Sequence, residues 1–323
     1  MNGSELTQRN QSVGRKLLDR FLGAVLGTFV GDALGEPVEG WSHEAIYDKF
    51  GLLTQMIRDR GRYTDDTQMM IGILETLAEK GTFDPAFCAD RFRQNFDPAR
   101  GYGRRIHGVM ARVRQGVPWD QVGTDSFGNG AAMRIAPIGC FYYTDLEAIK
   151  ENAMLSARIT HTHPEGLAGA VAQATAVGLA FKHAMEDRPI DKQVFIRRIV
   201  EQVGDVDSGT ARAVDRIRGL DRGPVLDVIR RISREYELTL RAIASVPASI
   251  AAFVLTDSVK DAVVLAVNLG GDTDTIGAMT GAIAGAYYGY ARIPDAWLDR
   301  LENGEKGKSY VIQSVRRVKG VMG

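Results

Sequence analysis

Two short acidic clusters are the residues best suited to chemistry. Tyr63-Thr64-Asp65-Asp66-Thr67 precedes the amphipathic run Gln68 to Lys80, and Gly270-Gly271-Asp272-Thr273-Asp274-Thr275 opens a second long helical run far down the chain. Asp and Thr cap helices well, and the helix dipole favours an acid at that end. One cap residue is enough, however, and adjacent carboxylates repel, so paired acids at both places ask for a counter-charge. Together the clusters offer four carboxylates and several hydroxyls, the hard oxygen donors that Mg2+ and similar cations take, and two clusters suit a binuclear site. Zinc is disfavoured: there is no HExxH, no grouped cysteine and only five histidines. The spacing also excludes an EF-hand.

Other polar groups are less specific. Gly31-Asp32-Ala33-Leu34-Gly35-Glu36-Pro37-Val38-Glu39 carries three acids at the end of the first apolar helix, with Asp32 inside an apolar stretch where solvation does not explain it. Ser126-Phe127-Gly128-Asn129-Gly130-Ala131-Ala132-Met133-Arg134 is a glycine-containing turn able to offer backbone N–H groups to phosphate. Thr160-His161-Thr162-His163-Pro164 reads as the loop starting a helix rather than a metal pair. Gly101-Tyr102-Gly103-Arg104-Arg105 offers an aromatic face and two guanidiniums, which suit a base or diphosphate and equally a surface loop. No Walker motif, GxGxxG, GxSxG or kinase signature is present, so the usual ATPase, dehydrogenase and serine hydrolase readings have no anchor.

The elements that must position these groups are helical. Arg15 to Gly35 has apolar residues at helical spacing and is closed by Pro37. Further helices are expected at about 65–80, 85–96, 104–115, 145–157, 165–184, 191–203, 208–217, 224–236, 238–255, 258–268 and 273–289, with strand-like alternation nearly absent. The polar segment 1–14 is expected to be flexible and 15–323 to form one compact all-α domain, since no linker or low-complexity block interrupts the series. Gly23, Gly27, Gly31 and Gly35 recur every fourth residue, as do Gly277, Gly281, Gly285 and Gly289; Gly166, Ala170, Ala174 and Gly178 form a similar row. Glycine inside a helix costs about 1 kcal/mol against alanine, so such rows predict close helix contacts that offset it.

The 323 residues hold 45% hydrophobic and 25% charged residues, ordinary for a folded globular enzyme. Forty basic and forty acidic residues give no net charge, so no bulk field draws the protein to nucleic acid or an anionic membrane. Two unpaired cysteines, Cys88 and Cys140, and the lack of a leader suggest a reducing cytoplasm, and no apolar run is long enough to span a bilayer.

The ordered set GDALGEPVE, YTDDTQM, GNGAAMRIAPIG, THTHPEG and NLGGDTDTIGAMTGAIAGAYYG resembles the ADP-ribosylglycohydrolase family over roughly residues 20–290. The resemblance implies an all-α single domain whose cleft holds two Mg2+ (or Mn2+) ions on Thr64, Asp65, Asp66, Asp272, Asp274 and Thr275. It implies catalytic acids among Glu39, Asp32 and Asp272, with Glu39 similar to the glutamate that is catalytic in some members. It also implies a diphosphate and ribose loop of Gly128, Asn129, Gly130 and Met133, a phosphate or ribose contact at His161, and Tyr102 facing adenine. Some relatives that lack the metal-site acids are lens crystallins; every acid is present here.

The expected activity is hydrolysis of the glycosidic bond between ADP-ribose and an ADP-ribosylated protein side chain, arginine favoured, releasing ADP-ribose by way of an oxocarbenium-like transition state. Two alternatives stand beside it: a hydrolase of free or nucleic-acid-linked ADP-ribose derivatives, and an ADP-ribose-binding module such as an immunity factor. The glycine rows are better used inside the core than on a partner, which makes a monomer the default. Residues 185–240, rich in Arg and Asp, match no motif.

Overall fold

The computed structural model describes residues 3–57 and 61–322. The first helix, α1 (Gly3–Gly35), is followed by α2 (His43–Phe50), α3 (Asp65–Lys80), α4 (Pro85–Asn95), α5 (Arg104–Arg114) and α6 (Ala136–Phe141). Then come α7 (Leu146–Arg158), α8 (Pro164–Met185), α9 (Lys192–Val203), α10 (Ser208–Asp215), α11 (Val225–Glu235) and α12 (Ala242–Val254). The chain closes with α13 (Val259–Val267), α14 (Thr273–Tyr288), α15 (Asp295–Leu298) and α16 (Lys308–Val321). Among the described residues there is no strand; isolated bridges join Ser42 to Gly270, Gly61 to Leu301, Thr124 to His161 and Gly128 to Arg241. Backbone helicity begins at Gly3, well before Arg15. The expectation of a flexible 1–14 falls in part on residues 1–2 and on side chains before residue 11, which lie outside the described residues.

Side-chain caps account for half of the helix starts. Ser42, Asp84, Asp145, Asp191, Asp207 and Ser258 each accept a backbone N–H of the turn that follows. The centre of the core is the antiparallel pair α1 and α14. Gly23, Gly27 and Gly31 face Gly285, Gly281 and Gly277, and a Cβ at any of them would fall inside contact distance of the opposing backbone carbonyl. The glycine rows are therefore the seam along which two backbones touch, except that Gly289 lies past the end of α14. The third row packs elsewhere: Gly178 lies against Ile149 of α7 and the Gly139 carbonyl of α6. Helix α8, apolar on all sides, is buried nearly throughout, as such a helix must be.

This seam fixes the functional end of the molecule. It puts the C-terminal end of α1 beside the N-terminal end of α14, where Thr273 Oγ1 donates to the Gly35 carbonyl at 2.9 Å. Gly40 N–H donates to Gly271 O and Gly271 N–H to Trp41 O, each at 2.8 Å, so the loops beyond both helices are joined as well.

Helix α12 starts at Ala242, four positions after the expected 238. Leu238 is left-handed (φ 51°), and the Leu238 and Leu240 carbonyls accept from Asp272 N–H (3.1 Å) and Asn129 N–H (2.9 Å) instead of extending the helix.

Candidate active site

Three helix ends converge on one cleft of about 790 Å3. Its acidic floor is Glu39 from the turn after α1, Asp65 and Asp66 from the start of α3, and Asp272 and Asp274 from the start of α14. The first helical turns of α3 and α14 point at this floor, so both dipoles favour the negative charge gathered there.

These acids are not used as caps. Thr64, not an aspartate, caps α3 by accepting Asp66 N–H at 3.4 Å. Asp272 occupies the cap position of α14 yet makes no side-chain cap bond; its Oδ2 accepts from Asn129 Nδ2. Asp66 Oδ2 accepts from Thr64 Oγ1 at 3.0 Å, whereas Asp66 Oδ1 is buried with no hydrogen-bond partner. Carboxylate oxygens of Glu39, Asp272 and Asp274 lie within 4.8 Å of one another. An orphaned buried oxygen beside a knot of acids is what a hard divalent cation satisfies, so the donor set fits Mg2+ or Mn2+.

The electrostatics agree. Burial first, then the neighbouring carboxylates Asp32, Asp272 and Glu39, lifts Asp65 to about 8. Asp66 and Asp274 are pushed well above the usual carboxylate range by burial and then by the other acids. Burial raises Asp272, opposed by the hydrogen bond from Asn129. Glu39, at the mouth, is raised by partial burial and then by Asp272 and Glu36.

Asp32 lies below the cleft rather than in it. Fully buried, it accepts from Thr64 N–H at 3.0 Å, Thr67 N–H at 3.2 Å and Thr67 Oγ1 at 2.6 Å, and burial lifts it to about 7. It ties the end of α1 to the first turn of α3. The two glycines of the α14 motif are equally constrained: Gly270 and Gly271 have φ of 85° and 72°, and a Cβ at Gly271 would collide with the Leu238 carbonyl.

The opposite wall is built from loops. Gly128, Asn129, Gly130, Met133 and His161 line the cleft, as do Thr64 and Thr275. Tyr102 does not: it is buried against Phe96, with its hydroxyl donating to Gln68 Oε1 at 2.9 Å. The exposed aromatic ring in the cleft is Phe127 (43% exposed), flanked by the guanidiniums of Arg105 at 5.9 Å and Arg241 at 5.3 Å from its centroid. Leu240, 62% exposed, lines the same end within the segment Glu237 to Arg241. That segment carries no motif, and its place here depends on the left-handed Leu238, which residue type does not announce.

Residues 14–321 match the profile of the ADP-ribosylglycohydrolase family. The chain belongs to that family. An uncharacterised protein of Archaeoglobus fulgidus is 32% identical, over 89% of this chain and 93% of that one. Human ADP-ribosylhydrolase ARH3 is 29% identical over 93% and 94% of the two chains. The ADP-ribosyl-[dinitrogen reductase] glycohydrolase of Rhodospirillum rubrum is 29% identical over 90% and 92%. A solved ADP-ribosylglycohydrolase-related protein complex superposes with a TM-score of 0.74 at 27% identity, over 96% of this chain and all of its own. The protein is thus an enzyme of the glycosidic hydrolases that cleave ADP-ribose linkages, with the all-α single-domain fold of the family. No helix among the described residues is long and apolar enough to cross a membrane.

Proposed function

We propose that this cleft hydrolyses the bond from C1 of the distal ribose of ADP-ribose to a protein side chain, arginine favoured, with two Mg2+ ions, or Mn2+, held by Thr64, Asp65, Asp66, Asp272, Asp274 and Thr275. One observation carries the reading: at two helix starts the acids are left off the caps and turned into a single cleft, where Asp66 Oδ1 has no partner. When bound, such ions supply charge stabilisation, hold ribose hydroxyls and lower the pKa of a water.

The chain's own residues divide the other tasks. Asn129 orients the Asp272 carboxylate, while Asp32 fixes Thr64 and the first turn of α3 from beneath. Glu39 stands at the open edge of the acidic floor; its raised pKa suits it to deliver a proton from its carboxyl oxygen to the departing side-chain atom. Water supplies hydroxide to C1 and the leaving group takes up a proton, so ADP-ribose and the unmodified side chain are the products. Carboxylates facing C1 favour its oxocarbenium-like state. Phe127 and Leu240 offer an apolar seat for adenine, and Arg104 and Arg105 lie along the same wall for the diphosphate. Within a protein target, which the R. rubrum relative's name specifies, an arginine acceptor is favoured because its guanidinium complements the acidic character of the floor as a whole.

The test pairs arginine-ADP-ribosylated with serine-ADP-ribosylated protein and follows ADP-ribose release by mass spectrometry. Release from the arginine substrate, lost in Asp272→Ala and Asp274→Ala variants that keep their helical circular dichroism, is expected. Release from serine alone would overturn the linkage, and full activity in both variants would overturn the metal assignment.

A further inference from the structure

Arg134 is the largest charged side chain in the core, fully buried, with no carboxylate within ion-pairing distance among the described residues. Such a charge is costly to bury, so what it holds matters. Its Nη1 donates to the Gly130 carbonyl at 3.1 Å, and its Nη2 donates at 2.8 Å to both the Ser156 carbonyl and Thr160 Oγ1. Thr160 Oγ1 lies 2.7 Å from His161 Nδ1 and 3.4 Å from the Ala157 carbonyl.

The proton count follows from donor types. A guanidinium can only donate, so Thr160 Oγ1 accepts from Arg134 and its single proton is free to go elsewhere. The nearer acceptor is His161 Nδ1. A ring nitrogen that accepts carries no proton, which leaves the imidazole proton on Nε2. Burial, then the charges of Arg134 and Arg105, pushes His161 down to about 3, so the ring stays neutral. Among the described residues Nε2 makes no hydrogen bond; it lies beside Gly128 and Gly130, where Cβ atoms would stand 3.7 and 3.5 Å from it, on the wall of the cleft.

We propose that Arg134 and Thr160 are positioning residues that lock His161 into its Nε2–H tautomer, giving the glycine loop a fixed hydrogen-bond donor aimed at a phosphate oxygen of the bound nucleotide. A phosphate oxygen only accepts, so the other tautomer would set lone pair against lone pair. Arg134 serves the same wall twice, since its bond to Gly130 O holds the loop against the imidazole. The ligand half of the inference rests on the ADP-ribose reading above; the tautomer half rests on geometry alone.

Ring 15N spectra of the intact protein, labelled at histidine and free of ligand, report which nitrogen of His161 carries the proton. The expected result is a protonated Nε2 and an unprotonated Nδ1 in wild type and in Thr160→Ser. Thr160→Val, of the same shape without the hydroxyl, is expected to show a mixture of tautomers and about a tenfold weaker ADP-ribose Kd, while Thr160→Ser keeps wild-type affinity. A proton on Nδ1 in wild type, or an unchanged tautomer in Thr160→Val, overturns the relay. If the relay holds in the spectra but wild type binds no ADP-ribose, the nucleotide reading fails and the tautomer lock stands.

Discussion

Without cations the acidic floor makes the folded protein a proton binder, and its stability must fall as pH rises. Asp32 is lifted from 3.8 to about 7 and Asp65 from 3.8 to about 8, both by burial first. Between pH ~4 and pH ~8 the native state therefore carries protons that the unfolded chain has released, and stability declines with pH across that window. One excess proton is worth about 1.36 kcal/mol per pH unit, and Asp32 alone spans two units from pH 5 to its folded value. These acids are coupled, so their shifts do not add; the loss expected between pH 5 and pH 8 is about 3 kcal/mol. For a chain of 323 residues that lowers Tm by about 4 °C. The assay is thermal unfolding from pH 5 to pH 8 in EDTA, repeated in excess MgCl2. Cations that bind only the folded carboxylates should restore about 3 kcal/mol at pH 8 when present at a hundredfold excess over Kd. Asp274→Asn removes one of the repelling charges, so it should flatten the EDTA profile and shrink the magnesium effect. A Tm that is flat or rises with pH in EDTA would refute the account of the cluster.

Three further outcomes are expected. Gly281→Ala would drive a methyl into the Gly27 carbonyl across the α1–α14 seam, which cannot yield as a side chain would, so urea unfolding should show a loss of at least 2 kcal/mol. Phe127→Ala removes an exposed ring, so ADP-ribose binding should weaken about tenfold by calorimetry while Tm stays within a degree or two of wild type. Glu39→Gln keeps size and removes the proton carrier; kcat should fall by about a hundredfold or more, with ADP-ribose Kd little changed, and parallel changes in both would point to a binding role instead.

The sequence carried the long helices because their apolar periods repeat over many turns: α3, α8 and α14 fall within a residue or two of the expected ranges. Helices α2, α6 and α15 are too short for a period to register, and α16, though longer, is amphipathic with no motif attached. The glycine rows were legible as seams, but only the structure shows which helix faces which. The four aspartates of the floor were legible because paired carboxylates exceed what a cap requires, whereas Glu39 was marked only by the family resemblance. The burial of Tyr102 was not, since an aromatic between glycines has the same composition whether it faces a ligand or Gln68. Nor was the role of 237–241, whose entry into the cleft depends on the positive φ of Leu238 and on carbonyls bonded to residues distant in sequence. Arg134 lies inside the GNGAAMRIAPIG motif, yet its task appears only once Thr160 and His161 are folded beside it.

The most direct test of the central claim is ADP-ribose release from an arginine-ADP-ribosylated protein after removal of divalent cations with EDTA, followed by add-back of Mg2+ or Mn2+ alone. The acidic floor predicts no turnover in EDTA, recovery with either ion, and no recovery in Asp66→Asn; unchanged release in EDTA would contradict it.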